Sequence, residues 1–191
     1  ELTIDLGLVD ANWGESTDAV YAACRQAAKV PGLRVMPSHG TPFGPAKKPI
    51  SRWDRKHTKG RIGDEWHIPP LSRGRVVQHV LFDAGRRKSF LQRRLATPLG
   101  DPGSLTFFRE HSYTHRLIAE HVTAETAARV TGPHGEMSVW TLTPNRDNHW
   151  LDCLSGCCTA ESILGGQLSA GNVILGAGQA APRKRRTVRF G

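Results

Sequence analysis

Three aspartates in this chain share a kind of position that could support chemistry. Asp10 follows the alternating run Leu2 to Val9, Asp83 closes the apolar run Arg75 to Phe82, and Asp152 stands near the start of a late helical segment. In open α/β sheets ligands bind outside the carboxyl ends of the strands, and a late helix can bring a third carboxylate to that edge. Carboxylates that converge repel one another, so such a group calls for a hard divalent cation, Mg²⁺ or Mn²⁺, which prefers oxygen ligands. Two such ions about 4 Å apart could activate a water and stabilise the leaving oxygen of a phosphodiester. The competing assignment is structural: Asp10 and Asp83 as turn or helix-cap residues, and Asp152 as a favourable charge in a helix's first turn.

Other chemistry-bearing residues form weaker patterns. His149, Cys153, Cys157 and Cys158 lie within one helical segment at spacings that could gather soft zinc ligands, but adjacent cysteines cannot both face one ion, so these read as small residues packing on a sheet. Glu120 and Glu125 are second-rank carboxylates, and His39 and His67 flank a basic loop where a phosphate contact or proton transfer is conceivable. Trp13 and Trp66 read as core anchors at strand ends as readily as base-stacking rings, whereas Trp53 lies inside the basic loop itself. No G-x-G-x-x-G fingerprint, G-x-S-x-G elbow or G-x-x-x-x-G-K-[ST] phosphate loop occurs.

The elements that must position the aspartates follow from periodicity. Alternation predicts a strand over 2–9, and Ala19, Val20, Ala23, Cys24 and Ala27 then fall at helical spacing up to Pro31-Gly32. A short strand is expected over 33–36, a Pro- and Gly-rich basic loop over 37–63, and short strands at 66–68 and 75–82. Residues 84–96 read as an amphipathic helix with its Arg/Lys cluster facing outward. Residues 105–108 read as a strand, 114–130 as a helix, 138–142 as a strand, and 148–164 as a last helix ending at Gly165-Gly166. Strands interleaved with helices predict an α/β domain over 1–166, a sheet with helices on its faces. Residues 167–191, poor in apolar side chains and carrying Arg183 to Arg186, read as a disordered basic tail.

Charge adds a partner class. The chain carries 26 Lys+Arg against 17 Asp+Glu, a net charge of +9, and the excess is concentrated rather than spread. Lys47, Lys48, Arg52, Arg55, Lys56, Lys59 and Arg61 face Asp54 alone, and Arg86, Arg87 and Lys88 open a second cluster. Such patches suit a phosphate backbone, although a solubilising face has the same composition. No apolar run approaches the ~20 residues that cross a bilayer. Four cysteines match no disulfide framework, which points to a reducing, cytoplasmic setting, and Glu1 in place of a Met suggests a piece of a longer chain.

Six segments, in order along residues 2–164, resemble the C-terminal nuclease domain of phage large terminase subunits in the lambda-like group. They are Val9-Asp10-Ala11-Asn12-Trp13-Gly14 with Val20-Tyr21 and Cys24-Arg25; Met36-Pro37-Ser38-His39-Gly40; Gly63 to Pro69; Val80-Leu81-Phe82-Asp83 with Lys88-Ser89-Phe90; Ala119 to Glu125; and Asp147 to Leu154. The resemblance implies an RNase H-like mixed sheet flanked by helices, dependence on two Mg²⁺ or Mn²⁺ ions, and cutting of concatemeric double-stranded viral DNA into genome lengths. It matches Asp10, Asp83 and Asp152 to the family's acidic residues on the first strand, a central strand and the last helix. Lys47, Lys48, Arg52, Arg55, Lys56, Lys59, Arg86, Arg87 and Lys88 would hold the duplex. The implied partners are an ATPase domain in the same full-length chain, the small terminase subunit and the portal, in the cytoplasm of an infected bacterium. Two rivals remain open: a non-catalytic nucleic-acid-binding or assembly module, and a recombination nuclease on the same fold.

Overall fold

The structure, a computed structural model, describes residues 4–74 and 76–166. Five strands form one mixed sheet in the order β1-β2-β5-β4-β3: β1 (Gly7–Asp10), β2 (Val35–Thr41), β3 (Arg61–Ile62), β4 (Trp66–Ile68) and β5 (Val80–Asp83). β1, β2 and β5 run parallel, while β3 and β4 add antiparallel on the far side of β5. The parallel crossover from β1 to β2 is made by α1 (Thr17–Ala27). Helices α2 (Ala84–Ala96) and α4 (His149–Leu164) pack on one another, and α4 also lies against β1. A mixed sheet flanked by helices is therefore the architecture: the strand and helix pattern leads one to expect a sheet with helices on its faces, and the family resemblance a mixed one.

The core is what the apolar runs build. Leu6, Met36, Trp66, Ile68, Val80 and Phe82 from the sheet meet Ala160 and Ile163 of α4. On α4 the buried residues Leu151, Ser155 and Thr159 repeat every four positions, and the two hydroxyls donate back to the carbonyls of Leu151 and Ser155, which satisfies them inside the packed face. The Trp66 indole N–H reaches Ser162 Oγ at 3.0 Å and ties β4 to the same helix. Gly165, at φ 85°, ends α4 in the left-handed conformation that a glycine adopts without strain. Of the cysteines expected to pack on the sheet, Cys153 and Cys157 are exposed and Cys158 is half-buried, because the four-residue repeat directs Leu151, Ser155 and Thr159 inward instead.

Several boundaries move. β2 runs on through Pro37, His39 and Gly40, which read as loop in the sequence, because its two parallel neighbours pair with it along its length. The strand expected over 75–82 is confined to Val80–Asp83, and Val76 is 71% exposed. Residues 105–108 form no strand; Phe107 and Phe108 instead gather around the His115 ring. The helix expected over 114–130 splits into α3 (Arg116–Val122) and β6 (Glu125–Gly132), which pairs antiparallel with β7 (Gly135–Leu142) as a separate two-stranded sheet. The β-branched Val122, Thr123, Thr126, Val130 and Thr131 disfavour a continued helix, and Gly132-Pro133-His134-Gly135 closes the hairpin. The expected tail, residues 167–191, lies outside the described residues.

Candidate functional site

Asp83 is the most constrained of the three aspartates. It ends β5 and caps α2, its Oδ1 accepting the Arg86 backbone N–H at 3.1 Å, so the chain passes from strand to helix within one residue. The residue is fully buried. Its Oδ2 has no hydrogen-bond partner among the described residues, and lies 3.4 Å from Arg86 Nε, within ion-pair range but without hydrogen-bond alignment. Burial raises the Asp83 pKa above its ordinary value; the Arg86 and Phe43 backbone amides oppose the rise, the Glu65 carboxylate adds to it, and the Arg86 guanidinium opposes it.

Glu65 is the carboxylate that sequence reasoning missed. It sits in the turn between β3 and β4 at φ 52°, a left-handed conformation that a side chain rarely takes. Three contacts hold it there: its carbonyl accepts the Asp83 backbone N–H at 3.0 Å, and its carboxylate accepts the Ile50 backbone N–H at 3.2 Å and the Ser51 hydroxyl at 2.5 Å. Its Oε2 is also 3.8 Å from Arg86 Nε. Strained residues held by several contacts cluster at functional sites. The available signal was its place in the Gly63 to Pro69 segment, which carried no role of its own.

Asp152 lies on the first turn of α4 and is half exposed, with Oδ1 2.8 Å from Lys88 Nζ. The same ammonium is 2.5 Å from Glu125 Oε1, and the Asn148 side-chain amide donates to that oxygen as well. Glu125 and Lys88 are both buried. A carboxylate pair with a cation between its members therefore stands where α2, β6 and α4 meet. Arg87 is also buried, at 3% exposure, and binds Asp64 through its side chain and its carbonyl. The outward-facing cluster expected on α2 thus holds for Arg86 in part, while Arg87 and Lys88 are buried, Arg87 against the exposed Asp64 and Lys88 between the buried Glu125 and the half-exposed Asp152.

Asp10 is exposed at the end of β1, its Oδ1 accepting the Asn12 backbone N–H at 3.0 Å. The Asn12 side chain donates to the Gly40 carbonyl and accepts at 2.8 Å from His39 Nδ1, whose Nε2 lies 3.0 Å from the Tyr21 hydroxyl. Register separates Asp10 from Asp83: on β2 they pair with Ser38 and Thr41. That offset is about 10 Å along the strand, on top of two interstrand spacings of about 5 Å each. Among the described residues no three His, Cys, Asp or Glu side chains gather as a metal-holding group. The acidic side chains come together in pairs instead, Asp83 with Glu65 and Asp152 with Glu125.

The basic loop is exposed along Lys47, Lys48, Arg52, Arg55, Lys56 and Lys59, yet it is anchored from beneath. Ile50 is fully buried, and Trp53 stacks on Phe43 with ring centroids 6.2 Å apart while its N–H donates to the Lys48 carbonyl. Trp53 therefore holds the loop rather than standing free to stack on a base, and Trp66 is core. Trp13, three residues after Asp10, is 78% exposed and open to a partner. Arg52 donates to the His134 carbonyl at the turn of the β6–β7 hairpin, joining loop and hairpin.

Hard oxygen donors, one of them a buried oxygen without a hydrogen bond, fit a divalent cation at Asp83 and Glu65 better than any soft metal. The basic loop supplies the positive surface that a polyanion needs. Compared with known families, residues 1–169 match the terminase large subunit gpA, endonuclease domain. No curated protein and no solved structure matches the chain.

Proposed function

Because the chain belongs to the family of terminase large subunit gpA endonuclease domains, we propose that it hydrolyses phosphodiester bonds of double-stranded viral DNA during genome packaging, using Mg²⁺ or Mn²⁺. The observation that carries the metal dependence is the buried, unbonded Asp83 Oδ2 beside the Glu65 carboxylate. Asp83 with Glu65 would hold one ion. Asp152 with Glu125 would contribute a second pair once Lys88 withdraws, and Asp10 would face the substrate from the end of β1. Bound there, a divalent cation supplies charge neutralisation at the scissile phosphate and a more acidic water.

The chain's own residues do the rest. Lys47, Lys48, Arg52, Arg55, Lys56 and Lys59 draw the duplex to a surface kept in shape by Ile50 and Trp53. Arg86, between Asp83 and Glu65, balances their charge until the phosphate arrives. Contacts of this kind position a backbone without reading bases, so little sequence preference is expected. The ATPase domain of the full-length protein would supply the motor, the small terminase subunit and portal would deliver the substrate, and the setting is the cytoplasm of the infected host; no helix among the described residues is long and apolar enough to cross a membrane.

A non-catalytic DNA-binding module is the second reading, favoured by the cations already paired with Asp83 and Asp152. Incubating supercoiled plasmid with the protein in Mn²⁺ or in EDTA separates the two. Nicking that needs the metal and is lost in Asp83→Asn supports the enzyme; binding without any cutting supports the module.

A further inference from the structure

Beyond the exposed loop, a polar cavity of about 410 Å³ opens between α2 and the β6–β7 hairpin. Four arginines line it, Arg86, Arg87, Arg93 and Arg129, together with the acids Asp64, Glu65 and Glu136. Two of the acids are already engaged, Asp64 with Arg87, and Glu65 with Ser51, the Ile50 amide and Arg86. Arg93 and Arg129 are exposed and have no ion pair among the described residues, and Glu136 is the remaining acid of the lining. Arg87, 3% exposed, keeps its Nε buried without a hydrogen-bond partner. A buried guanidinium with an unused donor, at a cavity edged by two unpaired ones, is what a tetrahedral oxyanion satisfies by forked hydrogen bonds. An apolar ligand or a base finds little there, since the Phe90 ring is covered by Arg94 at 4.9 Å.

We propose that this cavity binds a phosphate group of the DNA, adjacent to the one that is cut. The placement follows from Arg86, which lines the cavity and also stands 3.4 Å from Asp83 Oδ2. The proposal rests on the nuclease reading for the identity of the polyanion, but its chemistry is separate from cleavage. Two sources could deliver the phosphate, an internal phosphodiester or the 5′-phosphate of a cut end.

The test measures binding of short fluorescent duplexes, with 5′-phosphate or 5′-hydroxyl ends, in EDTA so that no cutting intervenes. Arg93→Gln with Arg129→Gln changes two exposed side chains and spares the buried Arg87, so the fold is not at risk. The double variant should bind about tenfold more weakly, as the removal of two charge-assisted hydrogen-bonding groups implies. Weakening confined to the 5′-phosphate duplex assigns a terminal phosphate, and equal weakening on both assigns the backbone. Arg25→Gln with Lys29→Gln, an equal charge change at the C-terminal end of α1 and just beyond it, should bind as the unchanged protein does. Undiminished binding by the Arg93/Arg129 variant, or equal weakening in the α1 control, overturns the cavity. Failure of the nuclease reading shows instead as absence of metal-dependent plasmid cutting by the unchanged protein, whatever the binding results.

Discussion

Lys88 Nζ lies 2.8 Å from Asp152 Oδ1, so the last helix is locked to α2 through a buried ammonium that Glu125 shares. Removing one partner from a buried ion pair leaves the other charge uncompensated, typically at a cost of about 3–5 kcal/mol. Lys88→Met should therefore destabilise the fold by about 3 kcal/mol, the lower end because Asp152 is half exposed. Glu125→Gln in the same background should recover part of the loss. Urea denaturation checks both; an unchanged midpoint for Lys88→Met would mean that the ammonium is not needed there.

Each of Asp10→Asn, Asp83→Asn and Asp152→Asn should reduce plasmid cutting in Mn²⁺ by at least about a hundredfold, the scale of losing a charge-stabilising group at a reacting centre. Circular dichroism should stay native. A variant that cuts at the unchanged rate removes its residue from the proposed site.

Asp83→Asn has a second, opposite consequence. Burial raises the Asp83 pKa, so the folded state holds that proton to a higher pH than the unfolded chain does. The fold consequently loses stability as pH rises from the ordinary carboxylate range through the raised value, and keeps the penalty above it. Asparagine also caps helices and carries no charge. In EDTA at pH 7 the variant should melt higher than the unchanged protein, and the gap should close as pH falls below the ordinary carboxylate range. A lower melting temperature at pH 7 would show that the Arg86 pairing outweighs the burial.

Neutralising Lys47, Lys48, Arg52, Arg55, Lys56 and Lys59 together should weaken DNA binding and flatten its salt dependence, by about 0.9 in log–log slope for each phosphate that the loop no longer neutralises. All six are exposed while their anchors Ile50 and Trp53 are untouched, so melting should not change. A slope equal to that of the unchanged protein assigns the loop to another partner.

Ending the chain at Gly166 should leave melting and metal-dependent cutting largely as they are, because α4 already ends in its glycine cap at Gly165. A large fall in melting temperature on removal of 167–191 would show that those residues pack on the domain.

The strand-to-helix passage at Asp83 is plain in the sequence, since an apolar run, an aspartate and an amphipathic stretch each carry their own signal, and α2 has the bounds that its pattern predicts. The burial of Arg87 and Lys88 is not, because a period of 3.6 cannot say that Asp64, Glu125 and Asp152, from other parts of the chain, supply their partners. β6 was hidden by alanines and a valine at helical spacing, and its β-branched residues and the turn after it outweighed that spacing. Glu65 owes its place to a left-handed turn and to partners 14 to 18 positions away, which no local window contains. The separation of Asp10 from Asp83 depends on strand register, and register is set by the whole sheet.

The two oxygens of Asp83 divide their work: Oδ1 fixes the helix and Oδ2 is left over. The helix-capping bond thus fixes the rotamer, so that on the proposed reading an arriving ion would find its ligand preorganised rather than having to order it. The burial penalty on Asp83 would then be relieved by the proposed ion, which would act as a structural ally as well as a reagent. By mass action, an ion at about a hundred times its dissociation constant would stabilise the domain by about 2.7 kcal/mol. On that reading the melting temperature would report occupancy with no DNA present, and Asp83→Glu, one methylene longer, should lose the metal-induced rise because its carboxylate is displaced from the helix cap.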